Sequence, residues 1–245
     1  MPQITIIQLV TPNIDEYAKY SVASVKKYAI AHGYHYHIQR SKTVKDMHIN
    51  WTKIDFLKNE LNAASKGDDS FVVLLDADTV IVKPERTIEF FIEKYQKTDT
   101  NILMANDTPF QITGKKKPNA GFVIVRNNEM GREIIAKWID ASRNEGARYN
   151  DIHPRNQLVY WNCVEPLYKK HQVVLPKYYF HKPIWLIPKP ANQKRYLYHV
   201  TSTGGKSRTS MMETYYNKTY QDASNLQSVE KFLEENQNGV VSPIG

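Results

Sequence analysis

The chain has little cysteine, since Cys163 is the only one among 245 residues. No disulfide can form within the chain, and such cysteine usage is typical of a reducing compartment. The sequence begins MPQITIIQLV, without the basic segment of a secretory signal, and no apolar run approaches the roughly 18 residues that a transmembrane helix needs. These absences predict a cytoplasmic protein without a membrane span.

Acidic residues are fewer than basic ones, with 25 Asp and Glu against 33 Lys and Arg and a formal net charge of +8. Such a balance suits nucleic acid, an anionic membrane or phosphorylated substrates as partners. The basic residues are scattered, and the run Lys115-Lys116-Lys117 is typical of a solvated loop. Because no nucleic-acid-binding motif accompanies them, the sequence predicts phosphorylated small-molecule substrates and no nucleic-acid partner.

The segment FVVLLDADTVIV, residues 71–82, joins a short apolar run to two aspartates, Asp76 and Asp78. The run favours a strand buried on both faces, and ligands of open α/β sheets bind at the carboxyl ends of such strands. Two neighbouring carboxylates repel each other unless a cation neutralises them, and their hard oxygens suit Mg²⁺ or Mn²⁺ bridging a diphosphate. The alternative interpretation is that one aspartate caps a helix and the other is solvated.

The same pattern, an apolar strand followed by Asp-x-Asp-x-Val, also describes the nucleophile loop of haloacid-dehalogenase-type phosphatases. That family normally opens with this strand, whereas here 70 residues precede it. The later part of the chain also offers no apolar strand ending in Gly-Asp or Asp-Asp to complete the metal site of a phosphatase. A phosphatase is therefore kept as an alternative function, behind the metal-diphosphate interpretation.

Strand and helix patterns alternate along most of the chain and predict the α/β class with one domain, residues 1–245. Its core is expected at about residues 3–206, followed by a polar C-terminal extension, 207–245, with one helix near 229–235. The predicted strands are 3–11, 34–39, 71–75, 102–105, 121–125 and 196–198. The predicted helices before the extension are 15–32, 51–65, a segment after Pro84 that ends near 96, and 128–142. Short strands and loops are expected between 143 and 195.

Five short segments follow one another along this pattern. They are Trp51-Thr52-Lys53-Ile54, Asp76-Ala77-Asp78, Asn119-Ala120-Gly121, Asn156-Gln157, and His199 followed by Gly204-Gly205-Lys206. Their order resembles that of GT-A-fold glycosyltransferases, most of all the retaining glycogenin-like and galactosyl/xylosyltransferase families and small enzymes of large algal DNA viruses. The resemblance covers about residues 4–206 and implies a GT-A fold, with a Rossmann-like nucleotide-binding half and a mixed central sheet flanked by helices. A viral enzyme of this kind would work in the host cytoplasm.

The resemblance also implies a metal and diphosphate site. Asp76, Asp78 and His199 would hold Mn²⁺, or Mg²⁺ in its place. Lys53 would reach the donor, and Lys206, at the end of a glycine-rich loop with Gly205, would close over the diphosphate.

A nucleoside and sugar site is implied beside the metal. Ala77 would lie near the ribose, while Thr11 and Tyr17 at the end of the first strand would hold the base and ribose. Asn119 and Ala120 would lie at the donor sugar, and Gly121 would let the backbone approach this sugar closely.

The segment Asn156-Gln157 departs from the Asp-Gln pair of the family, because an amide stands where a carboxylate usually contacts sugar hydroxyls. Gln157 would lie near the anomeric carbon, and Asp78, Asn156, Gln157 and Lys206 are the expected catalytic residues.

The sequence thus predicts an Mn²⁺-dependent hexosyltransferase that moves a sugar from a UDP-sugar to a hydroxyl of a glycan or other acceptor, with retention. An inverting enzyme would need a carboxylate base, for which Asp151 and Glu165 are the candidates. A non-catalytic protein that binds nucleotide sugars is the remaining alternative.

Overall fold

The computed structural model describes residues 2–107, 117–180, 194–201 and 205–244, without the side chains of residues 205–207. The strands are β1 (Gln3–Leu9), β2 (His35–Gln39), β3 (Ser70–Leu75), β4 (Thr79–Ile81), β5 (Ile102–Asn106), β6 (Pro118–Arg126), β7 (Gln172–Val174), β8 (Leu197–His199) and β9 (Val240–Val241). The helices are α1 (Asp15–His32), α2 (Asn50–Ala63), α3 (Ile88–Tyr95), α4 (Glu129–Arg143), α5 (Asn156–Val159), α6 (Glu165–Tyr168), α7 (Gly205–Thr219) and α8 (Ala223–Glu235). A π-helical turn, Tyr160–Val164, joins α5 to α6.

The central sheet is mixed and has seven strands in the order β7-β5-β6-β3-β1-β2-β9. Strand β1 pairs in parallel with β2 on one side and β3 on the other. The next strand outwards, β6, runs antiparallel to β3. The predicted α/β class with a mixed sheet is therefore confirmed. The carboxyl ends of β1, β2 and β3 meet at one edge of this sheet, where ligands of open α/β sheets bind.

Alternating side chains of the central strands supply two hydrophobic cores. Ile6 and Val73 belong to the core beneath α1, α3, α7 and α8, whereas Ile7 and Leu74 belong to the core beneath α2, α4 and α5. Both faces of the central strands are therefore buried, which explains the nearly continuous apolar run of β3.

Helix α1 has the bounds that the sequence predicts. Asp15 and Glu16 lie in its first turn, where carboxylates interact favourably with the positive end of the helix dipole. Gly33 ends the helix at φ 69°, a left-handed conformation that a glycine adopts without steric cost.

The segment after residue 204 differs from the sequence prediction. A loop through Lys206 and one later helix were expected, but α7 begins at Gly205 and α8 follows it. Met212, Val229 and Leu233 from these helices are buried in the core beneath α1. The segment reads as polar because each helix contributes only a few apolar side chains to this core.

Arg40 joins the C-terminal segment to the loop after β1. Its guanidinium has five N–H donors. The side chain is fully buried, and Nε donates to the carbonyl of Asn236, Nη1 to the carbonyl of Val10 and to Asp15, and Nη2 to Asp15 and to the carbonyl of Leu233. The distances lie between 2.6 and 3.2 Å. All the donors of this arginine are thus used inside the fold, between β1 and α8.

Across the described ranges, no helix combines the length and the apolar character that crossing a membrane requires.

Candidate metal and donor site

Three possible metal-ligating side chains lie together at the carboxyl end of β3. Nε2 of His199 is 3.1 Å from Oδ1 of Asp78 and 3.6 Å from Oδ2 of Asp76. One ligand atom from each residue lies within 4.8 Å of the other two. Two carboxylates and an imidazole form a donor set that suits a hard or borderline divalent cation. The cluster therefore fits a metal site.

The backbone explains why residues so distant in sequence meet here. A turn carries Asp76 and Asp78 from β3 into β4, and the Oγ1 hydroxyl of Thr79 donates to the carbonyl of Asp76 at 2.7 Å. Strand β8 pairs antiparallel with β4 and places His199 opposite Thr79. The N–H of Val200 then donates to the carbonyl of Asp78 at 2.8 Å. Short antiparallel pairing thus brings the histidine to the carboxylates.

The charges of the cluster support one another. Burial opposes ionisation of Asp78, but His199, Arg208 and Lys53 outweigh it and lower the pKa of this carboxyl. Burial likewise disfavours the imidazolium of His199, but Asp78 and Asp76 raise its pKa above the usual value. A divalent cation would take the place of the imidazolium proton as the positive charge between the carboxylates.

Lys53 lies in α2 and is buried, with 9% of its surface exposed. Its Nζ donates to Oδ1 of Asp76 at 2.5 Å and to the carbonyl of Ala120 at 3.2 Å. The lysine therefore holds one oxygen of Asp76, while the other oxygen faces His199. The sequence predicted a contact between Lys53 and the donor, whereas here the lysine first orients Asp76.

Arg208 comes from α7 and lies beside Asp78. Its Nη2 is 3.9 Å from Oδ2 of Asp78. Its Nη1 donates to the hydroxyl of Tyr17 at 3.3 Å, and its guanidinium lies 5.0 Å from the centre of the Tyr17 ring. Nε of Arg208 is buried without a hydrogen-bond partner among the described residues. The arginine is therefore a cation beside the metal cluster.

Polar side chains at the ends of β5, β6 and α5 form a second group beside the metal cluster. Gln157 accepts from the N–H of Ala120 at 2.8 Å and donates from Nε2 to Oδ2 of Asp107 at 2.5 Å. Nδ2 of Asn119 donates to the same oxygen at 3.2 Å. Since an N–H lies on one side of Gln157 and a carboxylate on the other, the orientation of its amide is fixed. We call Asp107, Asn119 and Gln157 the amide group.

The side chain of Asn156 is buried and forms hydrogen bonds to the backbone of α5 and α2. Its Oδ1 accepts from the N–H of Gln157 at 2.9 Å, and its Nδ2 donates to the carbonyl of Asn50 at 3.2 Å. An aspartate could not make the second bond, because a carboxylate has no N–H. The amide at position 156 thus matches the carbonyl that faces it.

A cavity of about 820 Å³ connects the metal cluster and the amide group. The predicted site residues that line it are Thr11, Tyr17, Lys53, Asp76, Ala77, Asp78, Asn119, Ala120, Asn156, Gln157 and His199. Its volume lies within the range of small-molecule sites, roughly 300 to 1,000 Å³. The structure therefore places most of the predicted residues around one cavity.

The remaining predicted residues lie elsewhere. Gly121 is not among the lining residues and instead lies against Cε1 and Nδ1 of the His199 ring. Gly205 and Lys206 lie in the first turn of α7, and the side chain of Lys206 lies outside the described part. Neither candidate base lines the cavity, because Asp151 is exposed and Glu165 pairs with Lys117 at 3.6 Å.

Two residues of the site were missed by the sequence analysis. Asp107 directly follows β5, so a carboxylate after an apolar strand was the available signal, the same one that identified Asp76. Arg208 lies in a polar helix, and its sequence surroundings carry no comparable signal.

Comparison with known proteins identifies a family for this chain. A family profile described as the galactosyl transferase GMA12/MNN10 family matches residues 4–233. No curated protein matches the chain in sequence.

Several solved structures share its fold. A glycosyltransferase involved in glycosylation of the major capsid of PBCV-1 is 20% identical, with a TM-score of 0.70 over 87% of this chain and 100% of that one. The galactosyltransferase LgtC, solved with donor and acceptor sugar analogs, is 12% identical, with a TM-score of 0.52 over 92% and 99% of the two chains. GlyE of Streptococcus pneumoniae TIGR4 is 12% identical, with a TM-score of 0.55 over 96% and 64%. These likenesses confirm the predicted GT-A fold.

Proposed function

The chain belongs to the galactosyl transferase GMA12/MNN10 family, and on that premise we propose that it moves a sugar from a UDP-sugar to a hydroxyl of a glycan or other acceptor, with Mn²⁺ as cofactor. The observation that carries this proposal is the cluster of Asp76, Asp78 and His199, with Lys53 and Arg208 beside it. Membership of a glycosyltransferase family excludes the phosphatase alternative.

The charges of the cluster match a nucleoside diphosphate. Two carboxylates face two cationic side chains, Lys53 and Arg208, so a divalent cation would leave the site with an excess positive charge. The diphosphate of a nucleotide sugar carries the opposite charge and would restore the balance. When bound, the metal would stabilise the charge that develops on the leaving diphosphate.

Different side chains of this region are proposed to bind the metal and the diphosphate of the donor. Oδ2 of Asp76, Oδ1 of Asp78 and Nε2 of His199 are the proposed metal ligands, since these atoms face one another. Arg208 lines the cavity with its Nη2 near Asp78, and we propose that it binds a phosphate oxygen with the assistance of Lys206. Together they would bind the diphosphate more strongly as charge builds on it.

The other ends of the donor would lie along the cavity. We assign the base and ribose to the walls at Thr11, Tyr17 and Ala77. We assign the donor sugar to the amide group. The amides of Asn119 and Gln157 both donate to Oδ2 of Asp107, and a carboxylate with two amides can orient sugar hydroxyls. Ala120 lies between the two regions, since its N–H holds Gln157 and its carbonyl holds Lys53.

For the stereochemistry we propose retention, with Gln157 near the anomeric carbon. An inverting enzyme needs a carboxylate base in the cavity. Neither Asp151 nor Glu165 lines it, and the carboxylate of Asp107 is engaged by two amide donors. The anomeric configuration of the first-formed product, measured by NMR, tests this choice, and an inverted product would assign the base to Asp107.

Release of UDP from a panel of nucleotide sugars tests the proposed activity, because slow hydrolysis of the donor needs no acceptor. We expect release from a UDP-sugar with Mn²⁺, and its loss in EDTA and in Asp78→Asn. The matched control is Asp69→Asn, which alters an exposed aspartate before β3, at the opposite end of the strand.

The outcomes separate the remaining alternatives. Metal-dependent UDP binding without release from any donor would support a non-catalytic nucleotide-sugar-binding protein. Release that is insensitive to EDTA and unchanged in Asp78→Asn would refute the metal site.

A further inference from the structure

Gly121 lies inside β6, a nine-residue strand that is buried along most of its length. An interior glycine weakens a strand, because it has no side chain to pack and loses more conformational freedom on folding. Among the described residues, the glycines with positive φ are Gly33, Gly67 and Gly239. The backbone conformation at residue 121 is therefore one that alanine could adopt, and the reason for a glycine must be space.

The space beside Gly121 holds the imidazole of His199. A Cβ atom at position 121 would lie 2.2 Å from Cε1 of His199, 2.8 Å from its Nδ1 and 2.9 Å from Oδ1 of Asn119. The ring atom Nε2, which is bonded to Cε1, faces Asp76 and Asp78. We propose that Gly121 is a positioning residue whose missing side chain admits the imidazole and sets Nε2 at the metal cluster. This inference rests on the proposed metal site.

The required displacement is large for a metal ligand. Two carbon atoms pack at about 3.5 Å or more, so a 2.2 Å contact calls for a separation larger by roughly 1.3 Å. Metal–ligand distances in proteins hold to within about 0.2 Å. An alanine at position 121 would therefore displace the ring by several times the tolerance of a metal site.

Neither backbone is free to absorb this displacement. The N–H of Gly121 donates to Oδ1 of Asn119 at 2.8 Å, and its carbonyl accepts from the N–H of Asp76 at 3.0 Å. His199 is paired with Thr79 in the two-stranded sheet of β4 and β8. The imidazole would have to rotate away, and Nε2 would leave its place between the carboxylates.

This assignment differs from the role that the sequence suggested for the glycine. A close approach of backbone to donor sugar was expected at Gly121, but the cavity wall at this point consists of Asn119, Ala120 and His199. The glycine lies behind the histidine and acts through it.

The test combines metal affinity with a double-mutant cycle. Mn²⁺ binding to the donor-free protein is measured by electron paramagnetic resonance, and Tm is measured in EDTA, for wild type, Gly121→Ala, His199→Ala and the double variant. We expect Gly121→Ala to weaken Mn²⁺ binding by roughly 10- to 100-fold, as is typical when a ligand loses its support. It should also lower Tm in the wild-type background and change Tm little once His199 is alanine, because the clash is then removed.

The matched control is Gly146→Ala. A Cβ at residue 146 would lie 2.8 Å from the carbonyl of Ala141 and 2.8 Å from Cγ1 of Val159, in a crowded place whose contacts do not include the metal cluster. This variant should lower Tm and leave Mn²⁺ affinity at the wild-type value.

Two results would overturn the role proposed for Gly121 and leave the proposed metal site standing. One is wild-type Mn²⁺ affinity in Gly121→Ala, and the other is an equal loss of Tm in both backgrounds, which would assign the clash to Asn119. A wild-type protein that fails to bind Mn²⁺ would instead overturn the proposed metal site and, with it, the role given to His199.

Discussion

Asp107 offers a sharp test of the sugar end of the site, because its carboxylate is the common acceptor of the amide group. It is buried, and its Oδ2 receives N–H donors from Gln157 and Asn119. The change Asp107→Asn keeps the size of the side chain and can present an amide oxygen to the same two donors. The geometry is therefore retained, and the negative charge is lost.

The magnitude follows from these two bonds. A hydrogen bond to an ionised group contributes about 1.5 to 3 kcal/mol, against about 1 kcal/mol between neutral groups. Losing roughly 1 kcal/mol in each of the two bonds at Asp107 gives about 2 kcal/mol, or about 30-fold in rate if the loss falls on the transition state. We expect the turnover of a saturating UDP-sugar to fall by this factor.

The assay is transfer or donor hydrolysis at saturating donor, together with the affinity for UDP alone. UDP affinity should stay near the wild-type value, because the amide group is assigned to the sugar and not to the nucleotide. The exposed Asp69→Asn serves again as the control. Wild-type turnover in Asp107→Asn would refute the reasoning, and a parallel loss of UDP affinity would show that the change disturbs the whole cavity.

Three further results are expected. Arg208→Ala should lower turnover by roughly 100-fold and weaken ground-state UDP binding less, because the guanidinium lies where charge develops; equal losses in both measurements would contradict this. Gln157→Ala should reduce transfer strongly while UDP affinity is kept, and calorimetric titration of UDP would expose a wrong assignment. The third concerns His37, whose hydrogen bond to Glu60 raises its pKa. The stability from this pair is complete below about pH 6.5, the usual value for histidine, and disappears as pH rises through the higher folded-state pKa. The Tm of wild type should therefore fall towards that of His37→Gln as pH rises, and a constant difference would count against the pair.

The sequence predicts the elements of the first half well, because their signals are local. The apolar periodicity of α1 and its terminal Gly33 lie within one segment, and the helix has the predicted bounds. The strand before Asp76 and the strand that contains Gly121 are likewise found where expected. Helix α7 was not predicted, because it has few apolar side chains and they are buried only by packing against α1.

Some residues of the candidate site also have a local sequence signal, whereas others are brought to the site only by tertiary packing. Asp76 and Asp78 carry a local signal, and His199 was found through the order of motifs in a resembling family. Arg208 could not be found this way, since a single arginine in a polar segment becomes informative only when α7 brings it to Asp78. The sequence predicted a close approach of the Gly121 backbone to the donor sugar, whereas the space beside this glycine in the structure holds the imidazole of His199.

Through Arg40, the structure of the cavity wall depends on a segment that is synthesised much later than the wall itself. Val10 and Asp15 are synthesised well before Leu233 and Asn236, so the guanidinium lacks two of its carbonyl acceptors until α8 has been synthesised. An unsatisfied buried donor costs about 1 to 3 kcal/mol, and the loop held by Arg40 leads into the cavity wall at Thr11 and Tyr17. A nascent or proteolytically clipped chain that ends before Leu233 should therefore not gain thermal stability from UDP and Mn²⁺, whereas the full chain should; such a gain in the shortened chain would argue against this dependence. We therefore expect a new molecule to become competent to bind UDP only once α8 has been synthesised.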